Sequence, residues 1–464
     1  MSKLGDFVKV QGGYAFKSSE LSDDKIGVPV IKIGNITGGS FVDLSNYQSV
    51  SFQLFEKTKS FATKDNDILI AMTGANVGKT SRVPVNSDTY LINQRVGRFL
   101  LKDDCPYTSD FIYYVVSSKQ AYQYFSRVAD GAAQPNISGK TIENFEFPNL
   151  DSRYANKIGD ILKSLDDKIQ LNSQINQTLE QIAQTIFKSW FIDFDPVHAK
   201  AEALANGQTA EQATQAAMAV ISGKNTQELH RLQTANPEQY QQLWEIAEAF
   251  PSGFDEEGVP RGWEQTTLSE VCSMKNGYAF KSSDWTEEGI PVIKIGSVKP
   301  MIVEVDGNGF VDEEHSVLHS EFLLTEGDIV VGLTGYVGEV GRIPQGRTAM
   351  LNQRVAKFIP NKLNEQQDYY SFVYCLVRDK SFKAFAETNA KGSAQANIST
   401  KELLNYSIIL ASSEIQMKFE SLIKPLLDKI LVNSGNNENL SKVRDLLLPK
   451  LLRGELNGLP EKTI

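Results

Sequence analysis

Two stretches of the chain carry apolar side chains on a heptad grid. In the first, Ile158, Leu162, Leu165, Ile169, Leu179, Ala183, Ile186 and Trp190 alternate spacings of four and three, with Asn172 and Asn176 on the same grid. In the second, Phe419, Ile423, Leu426, Ile430, Leu440 and Leu447 do the same, with Asn433 and Asn437 in the corresponding places. A period near 3.5 residues predicts coiled-coil helices, and seam asparagines set register at some cost in stability. If the helices pair antiparallel about a pseudo-twofold axis, Asn172 meets Asn437 and Asn176 meets Asn433. Parallel pairing would instead set Asn172 beside Asn433.

Elsewhere the apolar runs are short and β-branched. Val28–Ile33, Asp67–Met72 and Arg95–Leu101 read as strands between Gly, Asn and Pro turns, and Ser109–Arg127 and Gln366–Thr388 read as helices. These runs occur twice. GGYAFKSS at Gly12–Ser19 returns as NGYAFKSS at Asn276–Ser283, and VPVIKIG at Val28–Gly34 as IPVIKIG at Ile290–Gly296. INQRVGRF at Ile92–Phe99 returns as LNQRVAKF at Leu351–Phe358, and QPNIS at Gln134–Ser138 as QANIS at Gln395–Ser399. The matched positions lie about 260 residues apart, so the copies differ by short loop changes.

The resulting fold class is α+β. Two similar mixed α/β domains, 1–150 and 263–411, are separated by two long helices, 151–194 and 412–464 with its tail, forming an antiparallel coiled coil. Residues 195–262, rich in Ala, Gln and Glu, form a helical connector with no counterpart at the C-terminus.

The net charge is −10, distributed as +1 over 1–150, −7 over 151–262, −5 over 263–411 and +1 over 412–464. A chain that grips nucleic acid alone is usually basic, so this one would bind through local faces beside a more basic partner. Cys105, Cys272 and Cys375 are scattered without a CxxC and read as buried thiols in a reducing compartment. No apolar run approaches the roughly 20 residues of a membrane helix, and no export signal opens the chain, so a soluble cytoplasmic protein is expected.

Catalytic signatures are missing. Gly74-Ala-Asn-Val-Gly78-Lys79-Thr80 is one residue short of a phosphate-binding loop, and its second copy puts Glu339 where the lysine stood. His315 and His319 share i, i+4 spacing, but nearby glycines make a regular helix doubtful and no third metal ligand is evident. Asp166–Asp167 beside the seam reads as a solvated face. What remains suits binding: Lys17/Lys281, Lys32/Lys294, Arg82/Arg342 and Arg95/Arg354 recur next to Asn93–Gln94 and Asn352–Gln353. Such side chains contact phosphates and base edges. Positions where the copies differ, Asn76 and Lys79 against Tyr336 and Glu339, are candidates for different targets.

The duplicated order resembles the specificity subunit of type I restriction–modification systems over essentially the whole chain. It rests on the repeated IKIG, DILIAMTG/DIVVGLTG and QPNIS/QANIS segments, on Ile186–Ala201, and on Leu447–Leu456. The resemblance implies two target-recognition domains, each reading half of a split, asymmetric DNA site, with the helices as a ruler. About 30 helical residues span roughly 45 Å, against roughly 34 Å for a DNA turn. It further implies two adenine-N6 methyltransferase subunits using S-adenosylmethionine, and restriction–translocase subunits using ATP and Mg²⁺; this chain would hold no cofactor, no metal and no catalytic residue. Phe187, Trp190, Phe191 and Phe194 are candidate docking residues for those partners, with packing against the connector as the alternative. A solitary DNA-binding module and a nucleotide hydrolase built on Gly74–Thr80 are the rival readings. The duplication also predicts that the first domain with its helix, made as a half-protein, pairs with itself and makes the site palindromic.

Overall fold

The computed structural model describes residues 2–85, 88–129, 135–392 and 395–455; Gln134 and Leu456, the outer residues of two motifs above, lie outside them. The chain divides into two compact units, residues 1–170 with 438–464, and residues 171–437. The boundary falls inside each long helix, Ser152–Phe191 and Ser413–Leu452, so each unit contains a stretch of both.

The duplication is visible in strand order. In the first unit an antiparallel sheet runs Val8–Gly12, Val96–Leu101, Ile68–Ala71, Thr80–Arg82. In the second, Cys272–Asn276, Val355–Pro360, Ile329–Gly332 and Val340–Arg342 repeat that order, with Met301–Ile302 added in parallel at the edge. A smaller sheet pairs Val28–Ile31 antiparallel with Gln48–Val50 and parallel with Leu91–Ile92. Ile290–Ile293 pairs in the same senses with Phe310–Val311 and Ala349–Leu351. Central strands such as Ile68–Ala71 and Ile329–Gly332 are buried along their whole length because side chains pack on both faces.

Each helix expected after the large sheet is two helices. Ser118 Oγ accepts from Ala121 N at 3.2 Å, so Ser109–Val116 ends and Lys119–Arg127 restarts. Asp379 does the same between Tyr370–Arg378 and Lys380–Asn389, accepting from Ser381 N at 2.8 Å. These N-caps satisfy the new helix's free N–H groups, which a period count cannot register. A short helix also forms over Glu313–Leu318, where the glycines argued against one, because Asp312 caps it by accepting from His315 N.

The connector is four helices, Asp195–Ala205, Ala210–Ser222, Thr226–Ala235 and Pro237–Ala249. Lys200 ties the first to the end of the last, its Nζ donating to Ala247 O, Glu248 O and Phe250 O at 3.2, 3.1 and 2.6 Å.

The long helices pair antiparallel, and the asparagines show it. Asn172 Nδ2 donates to Asn437 Oδ1, and Asn433 Nδ2 to Asn176 Oδ1, each at 2.9 Å within the second unit. The helices also pack on the domains by different means. Gly159 lets the first helix approach the start of Ser109–Val116, where an added Cβ would sit 2.8 Å from Phe111 N. At the matching place on the second helix, Glu420 accepts from Ser371 N and Phe372 N, both at 2.9 Å.

Burial pushes the Glu420 carboxyl from an ordinary value of 4.5 up to about 7, against the pull of those N–H groups. The folded state therefore holds this proton more tightly than the unfolded state. Its stabilising contribution is full below about pH 4.5 and is lost as pH rises through about 7. Across that window the protein should lose up to about 3 kcal/mol through this group. Denaturant melts of Glu420→Gln at pH 4.5 and 7.5 should show that component removed.

Candidate nucleic-acid interface

One end of each small sheet gathers four repeated segments by backbone bonds. In the first domain Tyr14 N donates to Ile92 O at 2.9 Å and Gln94 N to Tyr14 O at 2.8 Å. Met72 N donates to Arg95 O at 2.9 Å, and Gly74 N to Pro135 O at 2.9 Å. The second domain repeats the set. Tyr278 N reaches Leu351 O at 2.8 Å, Gln353 N reaches Tyr278 O, Leu333 N reaches Arg354 O, and Gly335 N reaches Ala396 O, each at 2.9 Å. The Gly-Tyr, Asn-Gln-Arg, Thr-Gly and Asn-Ile-Ser segments therefore share one edge.

That edge displays Gln94 and Arg95 in one domain and Gln353 and Arg354 in the other, all four exposed. Arg95 Nη1 leans on Thr73 Oγ1 at 3.4 Å. Lys17 and Lys281 are exposed at the starts of short 3-10 turns, while Lys32 and Lys294 are half-buried. Lys32 Nζ donates to Gln48 Oε1, whereas Lys294 Nζ stands 3.7 Å over the Trp285 ring. The matched lysines thus have different neighbours.

The glycine-rich stretch is a turn packed on a helix. Gly78 has φ 83°, and a Cβ there would lie 2.9 Å from Phe125 Cβ; Gly338, with φ 75°, stands likewise 2.9 Å from Ala386 Cβ. The turn fixes its tip. Asn76 Nδ2 donates to Ile33 O at 3.1 Å and its Oδ1 accepts from Lys79 Nζ at 3.0 Å. Tyr336, the residue matching Asn76, is 69% exposed, and Glu339 pairs with Lys383 at 2.8 Å. His319 stacks on Tyr278 with ring centroids 4.2 Å apart, and His315 bonds Asp312 at 2.8 Å. Among the described residues no group of His, Cys, Asp and Glu is placed to hold a metal.

Two sequence candidates do not lie on this edge. Arg82 and Arg342 are 1% and 0% exposed, under the long helices. Arg82 pairs with Asp166 at 2.9 Å and Asp110 at 3.1 Å and lies 4.3 Å from the Tyr113 ring. Arg342 donates to Leu427 O at 3.0 Å and lies 4.4 Å from the Tyr374 ring. Both fasten a domain to a long helix. Asp166, expected on a solvated face, is buried and also accepts from Tyr114 OH and Arg444 Nη1, each at 2.7 Å; only Asp167 is exposed. The recurrence of the arginines signalled importance, but residue type alone does not say which way a side chain points.

The aromatic cluster is likewise internal. Phe187, Trp190 and Phe191 are buried, and Phe194 is half-buried against the same core. Trp190 meets Phe250 of the connector edge-on at 5.1 Å, and Phe191 meets Phe372 and Phe419 at 5.1 and 4.9 Å. These residues pack the connector and second domain against the helices, the alternative to docking. Edge-to-face pairs of this kind hold a core together.

Comparison with known proteins agrees with the duplicated architecture. The family described as type I restriction modification DNA specificity domain matches residues 1–181 and again 260–442. The chain is 31% identical over 445 residues to the type I restriction enzyme HindI specificity subunit of Haemophilus influenzae, covering 92% of this chain and 94% of that one. It is 26% identical to the MjaIX specificity subunit of Methanocaldococcus jannaschii, covering 98% and 93%. Its fold is similar to the crystal structure of a type I S subunit from M. genitalium, at a TM-score of 0.50 and 16% identity, covering 99% and 96% of the two chains. The chain therefore belongs to the type I restriction–modification DNA specificity family, as a specificity subunit with two target-recognition domains.

Proposed function

We propose that each domain reads one half of a split, asymmetric DNA site with the edge that carries Gln94–Arg95 or Gln353–Arg354. The observation that carries this reading is the repeated set of backbone bonds, which displays the same donors twice while Asn76 and Lys79 give way to Tyr336 and Glu339. Guanidinium and amide groups on a rigid turn suit phosphate contact and base-edge bonding. The long helices then set the half-site spacing.

This chain reads sequence and leaves the chemistry to others. Two adenine-N6 methyltransferase subunits would supply S-adenosylmethionine chemistry, and restriction–translocase subunits would use ATP and Mg²⁺, in the cytoplasm. A net charge of −10 fits a subunit whose partners provide much of the phosphate contact. Since the aromatic cluster is spent on internal packing, the docking surface falls to the exposed apolar side chains Leu171, Ile175 and Ile182 along the first helix.

Arg95→Ala and Arg354→Ala test the reading of half-sites. In the assembled complex, each should weaken binding by about 1–3 kcal/mol and relax sequence preference in one half-site only. Binding to arrays of degenerate sites reads this directly. Two variants that relax the same half-site, or neither, would refute the assignment.

A further inference from the structure

Each compact unit is built from both halves of the chain, because each contains a stretch of both long helices. Two ion pairs join the halves, each between a buried carboxylate and a partly buried arginine, and both have the same polarity. In the first unit Asp166 of the first helix accepts from Arg444 Nη1 of the second at 2.7 Å. In the second unit Glu180 of the first helix accepts from Arg378 Nε at 3.1 Å and from Tyr374 OH at 2.8 Å. Both carboxylates belong to the first half and both arginines to the second. Asp166 and Glu180 are among the buried polar residues.

The internal repeat shows what each group would meet if a half paired with its own copy. Tyr113 matches Tyr374, since each flanks the buried arginine of its domain. Ser118 matches Asp379, since each caps the helix that follows, and Asn172 matches Asn433 on the helices. On that register Arg444 corresponds to Ala183, Arg378 to Ser117, Asp166 to Leu427, and Glu180 to Ser441. A self-paired first half would set Glu180 against Ser117 and Asp166 against Ala183. A self-paired second half would set Arg378 against Ser441 and Arg444 against Leu427. The seam asparagines do not discriminate, because every pairing sets an asparagine opposite an asparagine.

We propose that these two ion pairs are a matching device through which each half of the chain selects the other half and rejects a second copy of itself. Removing one partner of a buried pair leaves a charge out of water without compensation, which costs more than the intact pair returns. Some contacts would survive self-pairing: Arg82 stays on Asp166, and Glu339 stays 3.7 Å from Arg378. Glu180 would lose its guanidinium outright. The device bears on the expectation that the first half, made alone, pairs with itself: it sets a preference for the unlike half wherever both are present.

The test begins from the whole chain. A protease site inserted in the exposed turn at residues 255–258 allows the folded protein to be cut between its halves. Unfolding the cut protein in urea and refolding it lets the halves choose partners. Native mass spectrometry should return one first half with one second half, in at least about tenfold excess over the statistical share. A statistical mixture with homotypic pairs would overturn the proposal.

Substitutions in the uncut chain give an independent reading. Arg378→Ser and Arg444→Ala reproduce what a self-paired first half would meet; Glu180→Ser and Asp166→Leu reproduce what a self-paired second half would meet. Each should lower the denaturant midpoint, and Arg378→Ser combined with Glu180→Ser should recover part of the loss. Four single variants with unchanged midpoints would overturn the proposal, whether or not the cut chain refolds.

Discussion

Asp166→Ala should destabilise the first unit by about 3–5 kcal/mol, the range for removing one member of a buried ionic cluster. Asp166 is 2% exposed, and its carboxylate receives Arg82 at 2.9 Å, Arg444 at 2.7 Å, Tyr114 OH at 2.7 Å and Ser40 Oγ at 3.1 Å. Its loss leaves the Arg82 guanidinium, itself 1% exposed, with Asp110 as its remaining ion pair. Asp110 is a weaker counter-ion, because burial raises its own carboxyl pKa against the pull of Arg82. Asp167→Ala is the natural control: that side chain is half exposed and pairs with Lys163, its neighbour one helical turn away. It should cost about 0.5 kcal/mol or less. Denaturant melts of both variants read the difference.

Trp190→Ala should cost the second unit about 3–5 kcal/mol, as expected for deleting a fully buried large aromatic. The indole is among the largest fully buried side chains and contacts Phe191, Phe250 and Phe419 with centroids 6.2, 5.1 and 5.8 Å away. The outcome separates two roles. A packing residue lowers the melting point of the isolated chain, whereas a docking residue would leave it unchanged and reduce only partner binding.

Periodic features were legible in the sequence because local geometry enforces them. A heptad grid with paired asparagines left one antiparallel register in which all four bond, and Asn172–Asn437 and Asn176–Asn433 adopt it. The repeat conveyed the twofold architecture for a similar reason, since one strand order serves both copies. Burial set by distant parts of the chain was not legible. Asp166 and Asp167 are adjacent and chemically alike, and the approach of Arg82, Tyr114 and Arg444, all far away in sequence, separates them. Arg82 and Arg342 resembled Arg95 and Arg354 as recurring cations, yet two lie under helices and two on the edge. Recurrence marks what the common fold needs as readily as what DNA needs. The extra helix breaks at Ser118 and Asp379 escaped because both residues sit within otherwise helical patterns.

The central claim is that this chain directs a methyltransferase to a split DNA sequence. Co-expressing it with the adenine methyltransferase subunit of its own system, then mapping N6-methyladenine by single-molecule sequencing, tests this most directly. The account predicts one bipartite motif with unlike halves, present only when both proteins are made; exchange of residues 1–150 or 263–411 for those of a relative should change one half alone. A stable complex that methylates no defined motif, or a motif that persists without this chain, would contradict it.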